Sequence, residues 1–410
     1  VAAAGTGDGR GGMAAGGGPW WLTDRPAVLL LAVTAAASVL SVAVSQIALG
    51  ATLAWCLWLQ LRGRPVWVRT GLEWPAAALL LWALAVLPLS TDVGSSLLHS
   101  RRFYLFTALW LGAALAGTDR RRRLLAIALL VGASVDAVVS IVFQAWLPGR
   151  WDARLPLLQH STITGAWLMM GAALLAVGWL LAGRGRRRWW SLVPLATAMT
   201  AVLLTRTRSA WMGLAAGLVL LVLAAGWRKR LLLMAALVLA ILLGPAPLRE
   251  RTATIVDPSY RTNSQRIDLW RTGWELVRQR PLLGVGDRDL REFTPGVVRY
   301  DGGRHVVHMP HLHQNFVMLA VIWGIPGLLL GTWLLLAMGR RLWGAMRSAR
   351  RAGREVPLAW ALGGWGLWVA VMVAGLFDWT FGDQELSLLL MLVVGIALAP
   401  DRSSAGPVQA

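Results

Sequence analysis

Apolar stretches of roughly 17–25 residues recur along the whole chain, the length a helix needs to cross about 30 Å of hydrocarbon. Pro26–Val42, Leu124–Phe143, Ser161–Leu181, Ser209–Trp227, His313–Met338 and Pro357–Phe377 are examples. Hydrocarbon offers backbone groups no partners, so such segments must bond internally as helices. The chain is 57% apolar with a mean hydropathy of +0.58, whereas a soluble domain is about 45–50% apolar. The expectation is therefore an all-α polytopic membrane protein of about twelve spans, at 27–42, 44–61, 73–90, 102–117, 122–145, 161–182, 189–205, 209–227, 231–246, 312–337, 357–377 and 385–399. In the first two, a tight hairpin and one long kinked helix look alike.

Charge orients these spans. The formal net charge is +20, which in a soluble protein would raise the question of nucleic acid. Here much of it sits in short connections, and no basic helix with interleaved aromatics is present, so nucleic acid is not an expected partner. Alternate connections are basic: Arg62 to Arg69, Arg120–Arg123, Arg184–Arg188, Arg228–Arg230 and Arg340–Arg354. The positive-inside rule puts these in the cytoplasm, and an even number of spans puts both termini there. Residues 1–26, rich in Gly and Ala, read as a disordered cytoplasmic tail, and 400–410 as a second tail. The apolar block that follows the first tail continues into another at Ile47–Leu61, which argues against a cleaved signal peptide. The single cysteine, Cys56, excludes an intramolecular disulfide and a cysteine-based metal site.

Transmembrane helices 1–9 would then occupy 27–247 and helices 10–12 would occupy 312–399, separated by a large outward loop over 248–311. That loop is too long to lack structure of its own. Ile267, Trp270, Trp274 and Val277 recur at helical spacing, so Ser264–Arg280 reads as an amphipathic helix on the outer leaflet, opened by Arg266.

On this map all six histidines, His99, His160, His305, His308, His311 and His313, face outward. Imidazole is the side chain best suited to proton transfer near neutral pH. His311 and His313 are two apart, a spacing unlike the three or four of helical metal pairs, so no metal is expected. Arg206 and Arg208 lie at a break between two spans. They read either as interfacial snorkelling or, flanked by Thr and Ser, as a bidentate grip on a phosphate, with Arg266 as a third candidate. Asp287-Arg-Asp289 reads as a helix cap. Asp136 reads as paired within the bundle. Asp378 and Asp383 lie near the outer end of the eleventh span, within conceivable reach of the arginines.

Three pieces of the chain together resemble the O-antigen ligase and polymerase superfamily of bacterial envelope proteins. Thr207-Arg-Ser-Ala-Trp211 is similar to the family's Ser-Arg-small-small motif. Arg266-Ile-Asp-Leu-Trp270 and Pro281-Leu-Leu-Gly284-Val-Gly286 resemble its arginine, tryptophan and Pro-x-x-Gly-x-Gly run. His311-Leu-His313-Gln-Asn-Phe316, with Trp323-Gly-Ile-Pro-Gly327, resembles its His-x-His-Asn signature. The residue after the second histidine is commonly Asn in the family and is Gln314 here; Asn315 follows it.

The resemblance implies glycan transfer at the periplasmic face of the bacterial inner membrane. The donor would be a polysaccharide on undecaprenyl diphosphate, and the acceptor lipid A–core. It implies His313 as general base, Arg208 and Arg266 as catalytic arginines, and Arg206, His311, Gln314 and Asn315 as substrate contacts, with no metal and no cofactor. An O-antigen polymerase or a protein O-oligosaccharyltransferase of the same superfamily is the alternative. So is a flippase for lipid-linked sugars, which would hold its arginines midway through the bilayer.

Overall fold

The structure, a computed structural model, describes residues 24–146, 154–158, 161–224, 260–299 and 305–402. Residues 1–23, the expected span 231–246, the first part of the large loop and His160 lie outside the described residues, as does the side chain of His305. The described elements are α1 (Arg25–Ala37), α2 (Val42–Leu61), α3 (Glu73–Val86), α4 (Val93–Ser100), α5 (Thr107–Leu115), α6 (Asp119–Trp146), α7 (Thr162–Ala182), α8 (Leu192–Thr205) and α9 (Arg208–Ala224). They continue with α10 (Arg261–Gln279), β1 (Val297–Arg299), β2 (His305–Val307), α11 (Asn315–Arg351), α12 (Glu355–Ala374) and α13 (Gln384–Leu398).

Among these, α2, α6, α7, α11 and α12 are long and apolar enough to cross a membrane, and α1, α3, α9 and α13 are shorter apolar helices. The first two expected spans are a hairpin: α1 and α2 pack on each other, and Ser41 caps α2 by accepting from the backbone N–H of Val44 at 3.4 Å. The expected span 102–117 is instead a 3-10 turn, Arg101–Phe106, leading into α5. Two basic runs expected as connections are helical: Arg120–Arg123 form the first turn of α6, and Arg340–Arg351 continue α11.

α7 sits at the centre, buried along nearly its whole length against α8, α9 and α12. Glycine allows the close crossings. A Cβ on Gly178 would stand 2.6 Å from the carbonyl oxygen of Ala359, and one on Gly213 would stand 2.6 Å from that of Ala370. Small residues let helix backbones approach where lipid gives no hydrophobic drive to associate.

α11 is broken. Trp323 and Gly324 leave helical geometry, with Gly324 at φ +68, and Pro326 removes the next amide donor. The orphaned carbonyls do not go unpaired. The turn at Pro281–Gly286 docks into the break: Val285 N–H donates to Val321 O at 2.8 Å and Gly286 N–H to Ile322 O at 3.1 Å, while Ile325 N–H donates back to Pro281 O at 2.7 Å. Trp82 Nε1–H closes the last position on Trp323 O at 2.8 Å. The Pro-x-x-Gly-x-Gly run and the Trp-Gly-Ile-Pro-Gly run, distant in sequence, are the two halves of one joint.

The amphipathic helix of the large loop is α10, beginning at Arg261 rather than Ser264. Arg266 therefore lies in its second turn and not at its N-terminus. Leu269, Gly273, Leu276 and Val277 form its buried face, whereas Trp274 is 54% exposed. That face packs on the first half of α11. Beyond it, β1 and β2 pair antiparallel, with Val298 opposite Val306, an element the periodicity did not suggest. Asp287-Arg-Asp289 caps no helix: Asp289 Oδ1 accepts from Arg291 N–H at 2.9 Å in a turn, and Asp287 turns to His99 and Arg102. Asp136 is buried and accepts from Ser140 Oγ at 3.1 Å and Leu158 N–H at 3.0 Å.

Candidate active site

The chain converges on one end of the bundle. α7, α9, α11 and α13 bring it their N-termini and α12 its C-terminus, while the arginines of 184–188 and 340–354 lie at the opposite ends of α7, α11 and α12.

The approach to α11 places its histidines. Residues 308–314 are irregular, and His313 adopts the left-handed conformation, φ 49, which is rare for a residue with a Cβ. Strain of this order, about 1–3 kcal/mol, persists only where the surroundings hold it and clusters at functional positions. Gln314 then caps α11, its Oε1 accepting from Val317 N–H at 2.6 Å. Asn315, 1% exposed, is committed to the turn that follows α12. Its Oδ1 accepts from Thr380 N–H at 2.9 Å, and its Nδ2 donates to Thr380 Oγ1 at 2.7 Å. Its own N–H donates to Gly375 O at 2.7 Å.

That turn carries Asp378, which is 4% exposed. Its Oδ1 lies 2.7 Å from His313 Nδ1 and also accepts from Trp379 N–H at 3.1 Å. Burial pushes this carboxyl up. The hydrogen bond from His313 and the charges of His313, Arg266 and His311 more than offset it, so Asp378 titrates below the ordinary carboxylate range. An ionised Asp378 must receive a proton from Nδ1, which leaves Nε2 of His313 as an acceptor. The His311 ring packs edge-on against that of His313, centroids 4.3 Å apart. Burial first, and then the neighbouring imidazole, depresses the His311 pKa to about 4, so it is neutral at physiological pH.

Arg266 is half-buried and feels Asp378: burial lowers its pKa and the carboxylate opposes the change. Arg208, 8% exposed, donates to Thr262 Oγ1 one turn earlier on α10 and lies over the Tyr260 ring, 5.1 Å from its centroid. Its neighbours in Thr207–Trp211 explain how it is held. Arg154 donates to Thr207 Oγ1 at 2.7 Å, Trp167 Nε1–H to Ser209 Oγ at 3.2 Å, and Trp211 Nε1–H to Val202 O at 3.0 Å. Arg206 forms the left-handed C-cap of α8 immediately before this turn, φ 52.

A cavity of about 340 Å³ opens beside the histidines, lined among others by His311, His313, Asp378, Asp383 and Thr164. Asp383 accepts from the Thr164 hydroxyl; burial, then the charge of Glu385, pushes its carboxyl up to about 7. His99 and Arg102 line the same cavity around Asp287, with contacts of 3.3 and 3.5 Å. Of the residues expected from the sequence, the structure gathers His311, His313 and Arg266 around Asp378, with Arg208 one turn away. Gln314 and Asn315 are bound to helix and turn. Arg102 and Thr164, which carried no motif, complete the cavity.

One ligand atom each from His311, His313 and Asp378 lie within 4.8 Å of one another, a spacing that suits a metal ion. The i, i+2 spacing in sequence argued against such a set because it assumed regular structure. The irregular approach and the φ of His313 turn the two rings together instead.

Residues 193–332 match the model of a family described as O-antigen ligase. A search of curated proteins finds no match.

Proposed function

We propose, for a chain whose residues 193–332 match the model of a family described as O-antigen ligase, a transfer of O-antigen polysaccharide from undecaprenyl diphosphate to lipid A–core at the periplasmic face of the bacterial inner membrane. The single observation that carries the mechanism is the His313–Asp378 pair at 2.7 Å beside Arg266. The arginine-rich helix ends lie opposite the site, which supports the cytoplasmic assignment of those ends.

The acceptor hydroxyl gives its proton to His313 Nε2. Its oxygen forms a bond to the anomeric carbon of the donor as the bond from that carbon to the diphosphate oxygen breaks. The bonding pair leaves on the diphosphate, and the anomeric centre inverts. A diphosphate leaves without a strong acid, so catalysis needs a base and countercharge. A positioned base supplies roughly 10²–10⁴-fold. Arg266 and Arg208 stabilise the departing charge, each hydrogen bond to the anion contributing about 1.5–3 kcal/mol. Arg206 and His311 contact the substrate at the edges of the same site. Arginine replaces the divalent cation that many diphosphate-dependent transferases use.

The test is transfer by purified protein with EDTA present throughout. It is offered lipid A–core in one reaction and a second lipid-linked glycan in another. Transfer to lipid A–core in EDTA is expected. Loss of activity to EDTA would point to a cation at His311, His313 and Asp378, and extension of the lipid-linked glycan alone would make the protein a polymerase.

A further inference from the structure

The polar cavity adjoins a second space of a different kind. An apolar slot of about 90 Å³ runs between the turn that precedes α5, α11 and α13, walled by Phe103, Phe106, Leu334, Leu335, Leu390 and Met391. His99, Arg102, Asp287 and Trp379 line both spaces and so form the junction between them. The cations at this junction have donors to spare. Arg102 Nε is buried without a hydrogen-bond partner, and its Nη1 meets Asp287 only at 3.5 Å. His99 spends Nδ1 on Asp287, which leaves Nε2. A buried donor without a partner is costly and asks for an explanation. Arginine and protonated imidazole both favour phosphate oxygens. An apolar slot that ends at a cationic junction is shaped for an amphiphile whose anionic head joins directly to a hydrocarbon chain.

We infer that His99 and Arg102 contact the lipid-side phosphate of a prenyl diphosphate whose first isoprene unit occupies the slot, so that the sugar end of the donor faces His313. This rests on the lipid diphosphate donor proposed above and adds to it a direction of binding and two residues outside the 193–332 match. Asp287 holds both cations in place and leaves the junction with one net positive charge when His99 is protonated. The slot takes only the start of the chain; the rest of the prenyl tail lies in the bilayer.

The experiment measures binding of farnesyl diphosphate and of inorganic pyrophosphate to the full chain in detergent by calorimetry. Wild type should bind farnesyl diphosphate at least about tenfold more tightly than pyrophosphate, since burying even a few methylene groups is worth that much. Arg102→Ala should weaken both ligands by roughly tenfold or more. Ser387→Phe and Leu335→Phe, which fill the slot, should bring farnesyl diphosphate down to the affinity of pyrophosphate and leave pyrophosphate unchanged. Equal affinities in wild type overturn the inference, as does an undiminished preference in both filled variants with wild-type melting temperatures. Transfer assays on the same preparations separate the two claims. Glycan transfer without preference for the farnesyl chain sinks the slot and leaves the transferase; the stated binding pattern without transfer sinks the transferase and leaves a lipid diphosphate site.

Discussion

His313 points Nδ1 at Asp378 Oδ1, 2.7 Å away, across 65 residues of sequence. The pairing fixes which nitrogen is left to accept a proton. Replacing Asp378 with Asn removes the charge that selects that tautomer and stabilises the imidazolium. Asp378→Asn is expected to lower the transfer rate by about 10²–10³-fold with little change in donor KM. Initial-rate kinetics at varied donor check it; a rate within twofold of wild type would contradict it.

Arg266 and Arg208 are expected to act through the donor. Each Ala variant should lose about 10–100-fold in kcat/KM for the lipid diphosphate. Arg266→Lys should recover only a small part, because an ammonium cannot offer the planar, paired donors of a guanidinium. Binding of inorganic pyrophosphate, measured separately, should weaken in parallel.

Asn315 is expected to act as a positioning residue. Its amide bonds the turn that carries Asp378 through Thr380, so Asn315→Ala leaves buried polar groups unpaired at a cost of about 1–3 kcal/mol. The expected result is a lower melting temperature together with a lower transfer rate, with donor KM largely retained. A normal rate in a folded Asn315→Ala protein would show that the turn holds Asp378 unaided.

The joint between Pro281–Gly286 and the break in α11 has no room for side chains. A Cβ on Gly324 would lie 2.2 Å from Leu282 O, and one on Gly284 would lie 2.5 Å from Ile322 O, both at positive φ. Gly324→Ala and Gly284→Ala should each destabilise by about 2 kcal/mol or more, seen as a fall in melting temperature. Gly344→Ala, in open space on the same helix, should not.

The His99–Asp287 pair gives a pH dependence. The Asp287 hydrogen bond, against the opposing effects of burial and of the Arg102 charge, raises the His99 pKa above its ordinary 6.5. A group whose pKa is raised on folding contributes stability that is complete below its unfolded value and is lost as pH rises through its folded value. Wild type should therefore lose stability relative to Asp287→Asn as pH rises from about 6 to 8. Melting curves of both proteins across that range measure it; parallel curves would contradict it.

Much of the architecture was legible because it rests on local periodicity. The apolar blocks gave α6, α7 and α12 closely and the first part of α11, whose continuation to Arg351 they did not show, and the spacing of apolar residues gave α10. What local periodicity does not carry is direction at irregular segments. His311 and His313 face each other only because the chain between Pro310 and Asn315 leaves regular geometry, which their spacing does not reveal. Asp378 sits in a turn among apolar helices, which Asn315 bonds through Thr380, a link between two distant segments that no local pattern shows. Arg102 looked like one end of a span and became part of a cavity wall because the helix there winds into a 3-10 turn. The short strands β1 and β2 carry too few residues for an alternating pattern to stand out.

The most direct test of the central claim is a single turnover by His313→Ala with a glycan on undecaprenyl diphosphate already bound and lipid A–core then added. Donor affinity close to that of wild type is expected, with transfer slowed by about 10²–10⁴-fold. Transfer at the wild-type rate would show that the base lies elsewhere.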